Sequence, residues 1–253
     1  AVSFDDFTHE GNWYCTGIVR DISDRRAYER ELERNNESLQ ELTQLATNDS
    51  LGDDEIIERV LEIGSERLDL SLGYLSRLDG RDYEVVSVVG DHDLIRTGVE
   101  TDLANTYCRR IVEDDRDIYA LPDAAAEGLA DDPAYQLSGI ACYLGGKVVV
   151  DGELYGTLCF ADEAPRTEPF SESEQTFTQL LAEWTSRELE RRQRNDALER
   201  YETVIEAVDD GIYALDETGN FELVNDAMTE LTGYEASELL DSHTSFIKHD
   251  EVV

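Results

Sequence analysis

Cys108 is the residue of this chain whose neighbours most readily support chemistry. It stands directly before Arg109 and Arg110 in the run TYCRR. Adjacent guanidinium groups lower the pKa of a thiol, and a low pKa makes a cysteine responsive to oxidants. The alternative is a buried core position, where free cysteine is usually found. The sequence therefore predicts either a redox-responsive thiol or a packing residue.

The other reactive side chains form no catalytic or metal-binding pattern. The cysteines show no CxxC or Cys/His spacing, and the histidines are scattered, with no HExxH. Gly145-Gly146-Lys147 lacks the spacing of a phosphate loop and indicates a bulge between strands. No phosphoacceptor helix or ATP-binding box is present. We therefore predict no catalytic residue and no metal ligand among Cys15, Cys108, Cys142, Cys159, His9, His92, His243 and His249.

The charge of the chain is strongly acidic. The sequence has 59 acidic and 21 basic residues, for a formal net charge of −38. Such a surface repels phosphates and anionic lipids, which argues against nucleic-acid or membrane binding by this segment. The even spread of acidic residues favours adaptation to molar salt, where the Debye length is about 3 Å, over a cation-binding surface. We expect a halophilic source and, without an apolar span or signal peptide, a cytoplasmic location.

Hydrophobic patterning predicts a mixed α and β domain in the middle of the chain. Asp79-Gly80 and Asp151-Gly152 predict the turns of two β-hairpins. Thr101–Val112 is expected to be helical, and the run DIYALPDAA to hold a short strand. The run DEIIERVLEIGSERLDL predicts an amphipathic helix. Its apolar face comprises Ile56, Ile57, Val60, Leu61 and Ile63.

Two long helical segments have the spacing of coiled coils. After Asp21, seam positions alternate in steps of four and three, the period of a two-helix coil, and Asn35 would fix its register. The run from Ser171 to Val208 has a second seam, weakened in its middle by three arginines. We predict a homodimer through these helices; a surface helix packed on its own domain is the alternative for the first. The seams comprise Tyr28, Leu32, Asn35, Leu39, Leu42 and Ala46, and Phe177, Leu180, Trp184, Leu198, Tyr201, Ile205 and Val208.

The N-terminal run GNWYCTGIVRDISDRRAYEREL resembles the last strand and exit of a PAS domain. The matching motif is Asp21-Ile22-Ser23, followed by two arginines. The resemblance implies that Asp21, Ile22 and Ser23, with Asn35 on the following helix, relay a signal from a strand that ends near Asp21. A helix cap at Asp21 without a signalling role is the alternative.

The C-terminal run AVDDGIYALDETGNFELVNDAMTELTGYEASELL resembles the first half of another PAS domain. It predicts a strand, a turn at Thr218-Gly219-Asn220, a second strand and a helix that ends at Gly233. Asn225, Gly233 and Tyr234 match the family. The resemblance implies a structural role for these three residues, with Asn225 facing inward and bracing the sheet.

The middle of the chain resembles a GAF domain. The specific part runs from TYCRR through DDPAY to YGTLCFAD and is similar to GAF domains in sensors of salt-loving archaea, including histidine kinases and bacterio-opsin-activator-like regulators. The resemblance implies an α+β fold with a GAF-type antiparallel sheet flanked by helices, and partial PAS units at both ends joined by long coiled-coil-like helices. The predicted segments are 1–24 (PAS end), 25–49 (linker helix), 50–190 (GAF), 191–208 (linker helix) and 209–253 (PAS start).

A GAF sheet is expected to curve over a ligand cavity. The cofactor stays unknown: LLDSHTSFIKHD lacks a flavin-adduct cysteine, and PAYQLSGIACYLGG lacks the histidine of a bilin attachment site, although Cys142 remains an alternative attachment point. Our candidates for the pocket combine apolar bodies with hydroxyl or thiol tips. They are Tyr107, Cys108, Tyr119, Tyr135, Cys142 and Tyr143.

We therefore expect the sensory module of a cytosolic signal-transduction protein. It would sense a small molecule or a redox or light cue and relay it through dimeric helices. The alternatives are the regulatory region of a histidine kinase, with the catalytic domain outside this segment, or of a bacterio-opsin-activator-like transcription regulator.

Overall fold

The computed structural model describes residues 2–9, 12–19, 40–42, 44–45, 52–240 and 242–247. The chain divides into two units, Ala1–Arg187 and Glu188–Val253, which are described separately. Among the described residues, no helix combines the length and the apolar character that a membrane span requires.

An antiparallel hairpin precedes the central domain. It consists of β1 (Val2–His9) and β2 (Asn12–Val19). The predicted strand from Cys15 to Asp21 corresponds to β2, which starts earlier, at Asn12.

The described part of the first linker is helical. Residues 40–42 and 44–45 have helical backbone, and Leu42 and Leu45 are buried. The predicted relay residues Asp21, Ile22, Ser23 and Asn35 lie outside the described residues, so their role stays a prediction.

A six-stranded antiparallel sheet forms the centre of the first unit. Its strands are β3 (Leu72–Asp79), β4 (Asp82–Val89), β5 (Glu100–Asp102), β6 (Ile118–Leu121), β7 (Cys142–Val150) and β8 (Glu153–Asp162), in the order β5-β4-β3-β8-β7-β6. Both predicted hairpins are confirmed. Asp151 and Gly152 have φ of 50° and 82°, which suits the two-residue turn that the Asp-Gly pair predicts.

Helices flank this sheet, which makes the fold α+β as predicted. They are α1 (Asp53–Leu68), α2 (Arg109–Val112), α3 (Pro133–Ser138) and α4 (Glu172–Glu206). The predicted apolar face of α1 is buried. Gly64 lets α1 approach the sheet closely, because a Cβ there would lie 2.1 Å from the Phe160 ring. At Gly146 on β7, a Cβ would lie 2.9 Å from that of Ala182 on α4, so the second helix also packs tightly.

The predicted helix over Thr101–Val112 is wrong for most of its length. The segment forms β5, a 3₁₀ turn at Leu103–Asn105, an extended residue and only then α2. Asp102 Oδ1 accepts a hydrogen bond from the Ala104 amide at 2.8 Å and starts the 3₁₀ turn. Thr106 ends it with φ −124° and ψ 155°, while its hydroxyl donates to the Leu103 carbonyl at 2.9 Å. Local side-chain hydrogen bonds therefore replace the helical ladder.

The second unit has the predicted order of strand, turn, strand and helix. It contains β9 (Tyr213–Leu215), β10 (Phe221–Val224), α5 (Asp226–Thr232) and α6 (Ala236–Leu239). Asp216 holds the turn, since its carboxylate accepts from the amides of Thr218 and Asn220 at 2.8 and 2.9 Å. Gly233 caps α5 in the left-handed conformation (φ 73°), and Tyr234 beside it is half-buried.

Asn225 is a fully buried polar residue of this unit. Its Oδ1 accepts from the amides of Ile212 at 2.7 Å and Met228 at 3.0 Å, and so caps α5. Its Nδ2 faces three carbonyl oxygens at 3.0–3.3 Å, which belong to Ile205, Val208 and Asp210. One side chain therefore joins the end of α4, the loop before β9 and the start of α5.

We expect Asn225→Ala to lower the free energy of unfolding of this unit by about 2–4 kcal/mol, because buried groups that lose their partners cost about 1–3 kcal/mol each. Hydrogen exchange should show faster exchange of the Ile212 and Met228 amides. Asn220→Ala is the control: its side-chain amide donates to Asp216 and Thr218 within the turn, so the Ile212 and Met228 amides should stay protected. Unchanged protection in Asn225→Ala would contradict the bracing role.

Candidate functional site

A cavity of about 270 Å³ lies between the sheet and the segments that cover it in the first unit. The sheet contributes Tyr74 on β3, two residues of β4 (Tyr83 and Val85) and two of β5 (Glu100 and Thr101). The covering wall comes from the loop after β4, from the segment between β5 and α2, and from α3 with the residues that follow it. The wall residues are Leu94, Ile95, Val99, Asn105, Thr106, Tyr107, Ala134, Leu137, Ser138 and Ile140.

The chemistry of the lining is largely apolar. Its polar groups are hydroxyls, one amide and the carboxylate of Glu100; none of the lining residues is Lys or Arg. The hydroxyl of Tyr107 donates to the carbonyl of Ile140 at 3.0 Å and thereby joins two parts of the wall. A carboxylate or phosphate ligand would lose its hydration here without gaining a counter-charge, which is costly. The lining therefore suits an uncharged ligand.

A buried ion pair between Arg109 and Asp132 holds the covering segments together. Only 11% and 6% of their side chains are exposed. Arg109 Nη1 also donates to the carbonyls of Ala104 at 3.2 Å and Thr106 at 2.6 Å. Asp132 Oδ1 accepts from the Ala134 amide at 2.9 Å and caps α3. The pair thus fixes the segment before α2 against the start of α3, both of which line the cavity.

His92 holds the loop that follows β4. Its Nδ1 accepts from the amides of Leu94 and Ile95, both at 3.1 Å. With Nδ1 as the acceptor, Nε2 donates to the Ser138 carbonyl at 3.0 Å. The ring thus ties the loop to the end of α3, which closes another side of the wall.

A cluster of thiol and hydroxyl groups is buried next to the cavity. Cys108 Sγ lies 3.5 Å from Tyr83 Oη, 3.4 Å from Tyr143 Oη and 3.6 Å from Cys159 Sγ. Cys159 Sγ is also 3.2 Å from Tyr143 Oη and from Thr157 Oγ1. Both thiols are free and fully buried. Tyr83 belongs both to this cluster and to the cavity lining.

The cluster shifts the acidity of its thiols in opposite directions. Burial raises the pKa of Cys108, but hydrogen bonds with Cys159, Thr157, Tyr143 and Tyr83 outweigh it and lower this pKa to about 6. Burial and the neighbouring Cys108 raise the pKa of Cys159. The sequence predicts a lowered pKa for Cys108 because of the adjacent arginines. In the structure the pKa is lowered instead by hydrogen bonds with neighbouring thiol and hydroxyl groups.

The six predicted pocket residues occupy different places. Tyr107 lines the cavity, whereas Cys108 and Tyr143 belong to the buried cluster. Tyr119 and Tyr135 are half-buried against the same core. Cys142 is fully buried at the start of β7, and burial raises its pKa to about 12.

Sequence reasoning missed Tyr74, Tyr83, His92 and Cys159. Tyr74 and Tyr83 lie on predicted strands, so their periodicity could have placed them on the inner face. The pairing of β3 with β8, which places Cys159 opposite Tyr74, could not be read from spacing.

A comparison with protein-family models finds the GAF domain model over residues 50–189, more than half of the chain. The chain belongs to the GAF domain family. A second model, the PAS fold, matches residues 199–251. GAF and PAS domains thus cover most of the chain, which supports a sensory module. None of the curated proteins matches it.

Several solved structures share the fold of this GAF domain at low sequence identity. The GAF domain of an Acinetobacter phosphoenolpyruvate-protein phosphotransferase has a TM-score of 0.51 and 16% identity, over 65% of this chain and 95% of that one. The phycoerythrobilin-bound GAF domain of a cyanobacterial phytochrome gives 0.54 and 12%, over 64% and 98%. The free methionine-R-sulfoxide reductase of Neisseria meningitidis, in complex with its substrate, gives 0.51 and 12%, over 70% and 96%.

We expect Asp132→Asn to destabilise the GAF domain by about 3–5 kcal/mol, because it leaves a buried guanidinium without its anion. Asparagine can still cap α3, so the change isolates the lost charge. Urea unfolding in molar salt measures the effect.

Arg116→Gln provides the control for this prediction. Arg116 pairs with Asp114, and their side chains are 52% and 40% exposed, so the loss should stay within about 1 kcal/mol. An equal loss of unfolding free energy in the two variants would contradict the role of the buried pair.

Proposed function

We propose that the GAF domain binds a small, uncharged and mostly apolar molecule and that the chain relays its occupancy as a sensory module. The observation that carries the proposal is the cavity, whose lining is apolar and aromatic, has hydroxyl groups for orientation and includes no Lys or Arg. Its wall is fastened by Arg109–Asp132 and His92. Preorganised walls reduce the entropy that binding costs.

Two similar structures that contain a bound molecule support a ligand-binding role for this fold. One similar GAF domain is phycoerythrobilin-bound and another similar structure holds its substrate. A volume of about 270 Å³ is below the usual range of roughly 300–1,000 Å³ for ligand sites. It suits a compound with one ring better than a tetrapyrrole.

We propose the segment boundaries 1–24, 25–49, 50–190, 191–208 and 209–253 for the PAS end, the two linkers, the GAF domain and the PAS start. In this arrangement Asp21, Ile22, Ser23 and Asn35 transmit the signal into the first linker. The acidic composition, with a net charge of −38, supports a halophilic source, and we propose a cytoplasmic location. A histidine kinase and a bacterio-opsin-activator-like regulator remain the two candidate parent proteins.

An exposed apolar stripe on α4 supports relay through a dimer. Leu198, Tyr201 and Val204 are 56%, 67% and 62% exposed, and Ile205 lies on the same face at helical spacing. Val208 of the predicted seam lies beyond the end of α4 at Glu206. Leu198, Tyr201, Ile205 and Val208 belong to the predicted seam. A second copy of the same helix would cover this stripe in a parallel coiled coil, which can hold two nearby packings and so transmit a bias.

We expect benzyl alcohol to bind the cavity more tightly than benzoate, since the two differ mainly in charge and no cation lines the site. Isothermal titration or ligand-observed NMR in molar KCl measures both. We expect at least about a tenfold difference, which corresponds to about 1.4 kcal/mol. Equal or tighter binding of benzoate would contradict the uncharged ligand class.

Leu137→Trp tests whether binding occurs in this cavity, because Leu137 lines it and is 54% exposed. The larger ring should fill the entrance and abolish binding of benzyl alcohol. Leu231→Trp is the matched control, since Leu231 is also 54% exposed but lies in the second unit. Equal effects of the two variants would place the binding elsewhere.

We expect the chain to sediment as a dimer at tens of micromolar in molar salt, and Tyr201→Asp to shift it towards monomer. A charge on the seam cannot be buried without a partner. Thr203→Asp adds the same charge on the opposite face of α4, where the residue is exposed, and should leave the dimer intact. A monomeric parent chain would refute the dimeric relay.

A further inference from the structure

Two free thiols from distant parts of the sequence touch inside the GAF domain. Cys108 is the residue before α2, and Cys159 lies within β8. Their Sγ atoms are 3.6 Å apart and both residues are fully buried. Neither residue lines the cavity, and the proposed ligand binding gives this contact no role.

We propose that Cys108 and Cys159 form a reversible dithiol–disulfide pair that is oxidised by hydrogen peroxide. A disulfide needs a sulfur–sulfur distance of about 2.05 Å, so the two atoms must approach by about 1.5 Å. Cys159 is held in β8, which pairs with both β3 and β7. Cys108 precedes a helix of only four residues, so its side of the contact can supply most of the movement.

The surroundings of the pair favour a reactive thiolate. The hydroxyls of Tyr83 and Tyr143 lie within 3.5 Å of Cys108 Sγ and can donate to a negative sulfur. The lowered pKa of Cys108 agrees with this geometry. Tyr83 also lines the cavity, so one aromatic side chain separates the sulfur from a space that a small neutral oxidant can enter.

The reaction balances with one peroxide. The Cys108 thiolate attacks a peroxide oxygen, the O–O bond breaks, and a sulfenic acid forms while the second oxygen leaves as water after taking up a proton. The Cys159 sulfur then attacks Cys108 Sγ, the S–O bond breaks, and a second water leaves. Two thiols are oxidised to one disulfide, and the peroxide is reduced to two molecules of water.

The bond would act on the wall of the cavity. Cys108 stands between Tyr107, which lines the cavity, and Arg109, which pairs with Asp132. A shift of Cys108 towards β8 must move these neighbours, because peptide geometry connects them directly. Oxidation would thus change the shape of the cavity, whatever ligand it holds.

Thiol counting on the full chain tests the proposal. The protein, reduced and then freed of reductant, is treated with hydrogen peroxide in molar KCl, unfolded and alkylated. Intact mass should show that two of its four thiols have been lost, and peptide mapping should find Cys108 linked to Cys159. Dithiothreitol should restore all four.

Two variants locate the effect. Cys142→Ser should still form the bond, because Cys142 is a buried thiol whose pKa is raised by burial. Cys159→Ser should form no disulfide at Cys108, and peroxide should leave Cys108 as a sulfenic acid that dimedone labels; if this variant fails to fold, the peptide map of the parent chain decides alone. Four free thiols after treatment, a linkage to Cys15 or Cys142, or oxidation of Cys108 beyond reversal would each overturn the proposal.

Discussion

The ion pair between Arg109 and Asp132 is the constraint on which the site depends. The sheet is regular, but the segments that cover it contain a 3₁₀ turn, an extended residue and short helices, whose backbone groups lack a continuous ladder of their own. Arg109 binds two of their carbonyls and Asp132 caps the next helix. Because a buried charge must be paired, the two segments can close over the sheet only together.

In the second unit, an uncharged buried side chain likewise holds several segments together. Asn225 binds two amides and faces three carbonyls where α4, β9 and α5 meet. Its amide group offers both donors and acceptors, which a carboxylate or a guanidinium cannot. In both units, backbone amides and carbonyls outside regular helices and strands need hydrogen-bond partners. A buried polar side chain supplies several of these partners at once.

The regular elements were predictable because their signals are local. The Asp-Gly turns and the apolar face of α1 depend on neighbouring residues alone, and both are present. The helix predicted over Thr101–Val112 is absent for a local reason too. The side chains of Asp102 and Thr106 form hydrogen bonds with backbone groups that a helix would use. The site was harder to predict. Cys108 meets Cys159 across 51 residues, and that contact depends on how the segment before α2 packs on β8.

Tyr83 gives the two halves of the site a physical connection. Its ring lines the cavity, and its hydroxyl lies 3.5 Å from Cys108 Sγ. Burial raises its pKa, so it stays a neutral donor near a thiol that can carry charge. A ligand that displaces this ring also removes a donor from the sulfur and changes the stability of the thiolate. If ligand binding changes the ionisation equilibrium of the thiol by some factor, thermodynamic linkage requires that ionisation of the thiol changes the ligand affinity by the same factor. Under the two proposals, ligand binding and thiol oxidation are coupled through Tyr83.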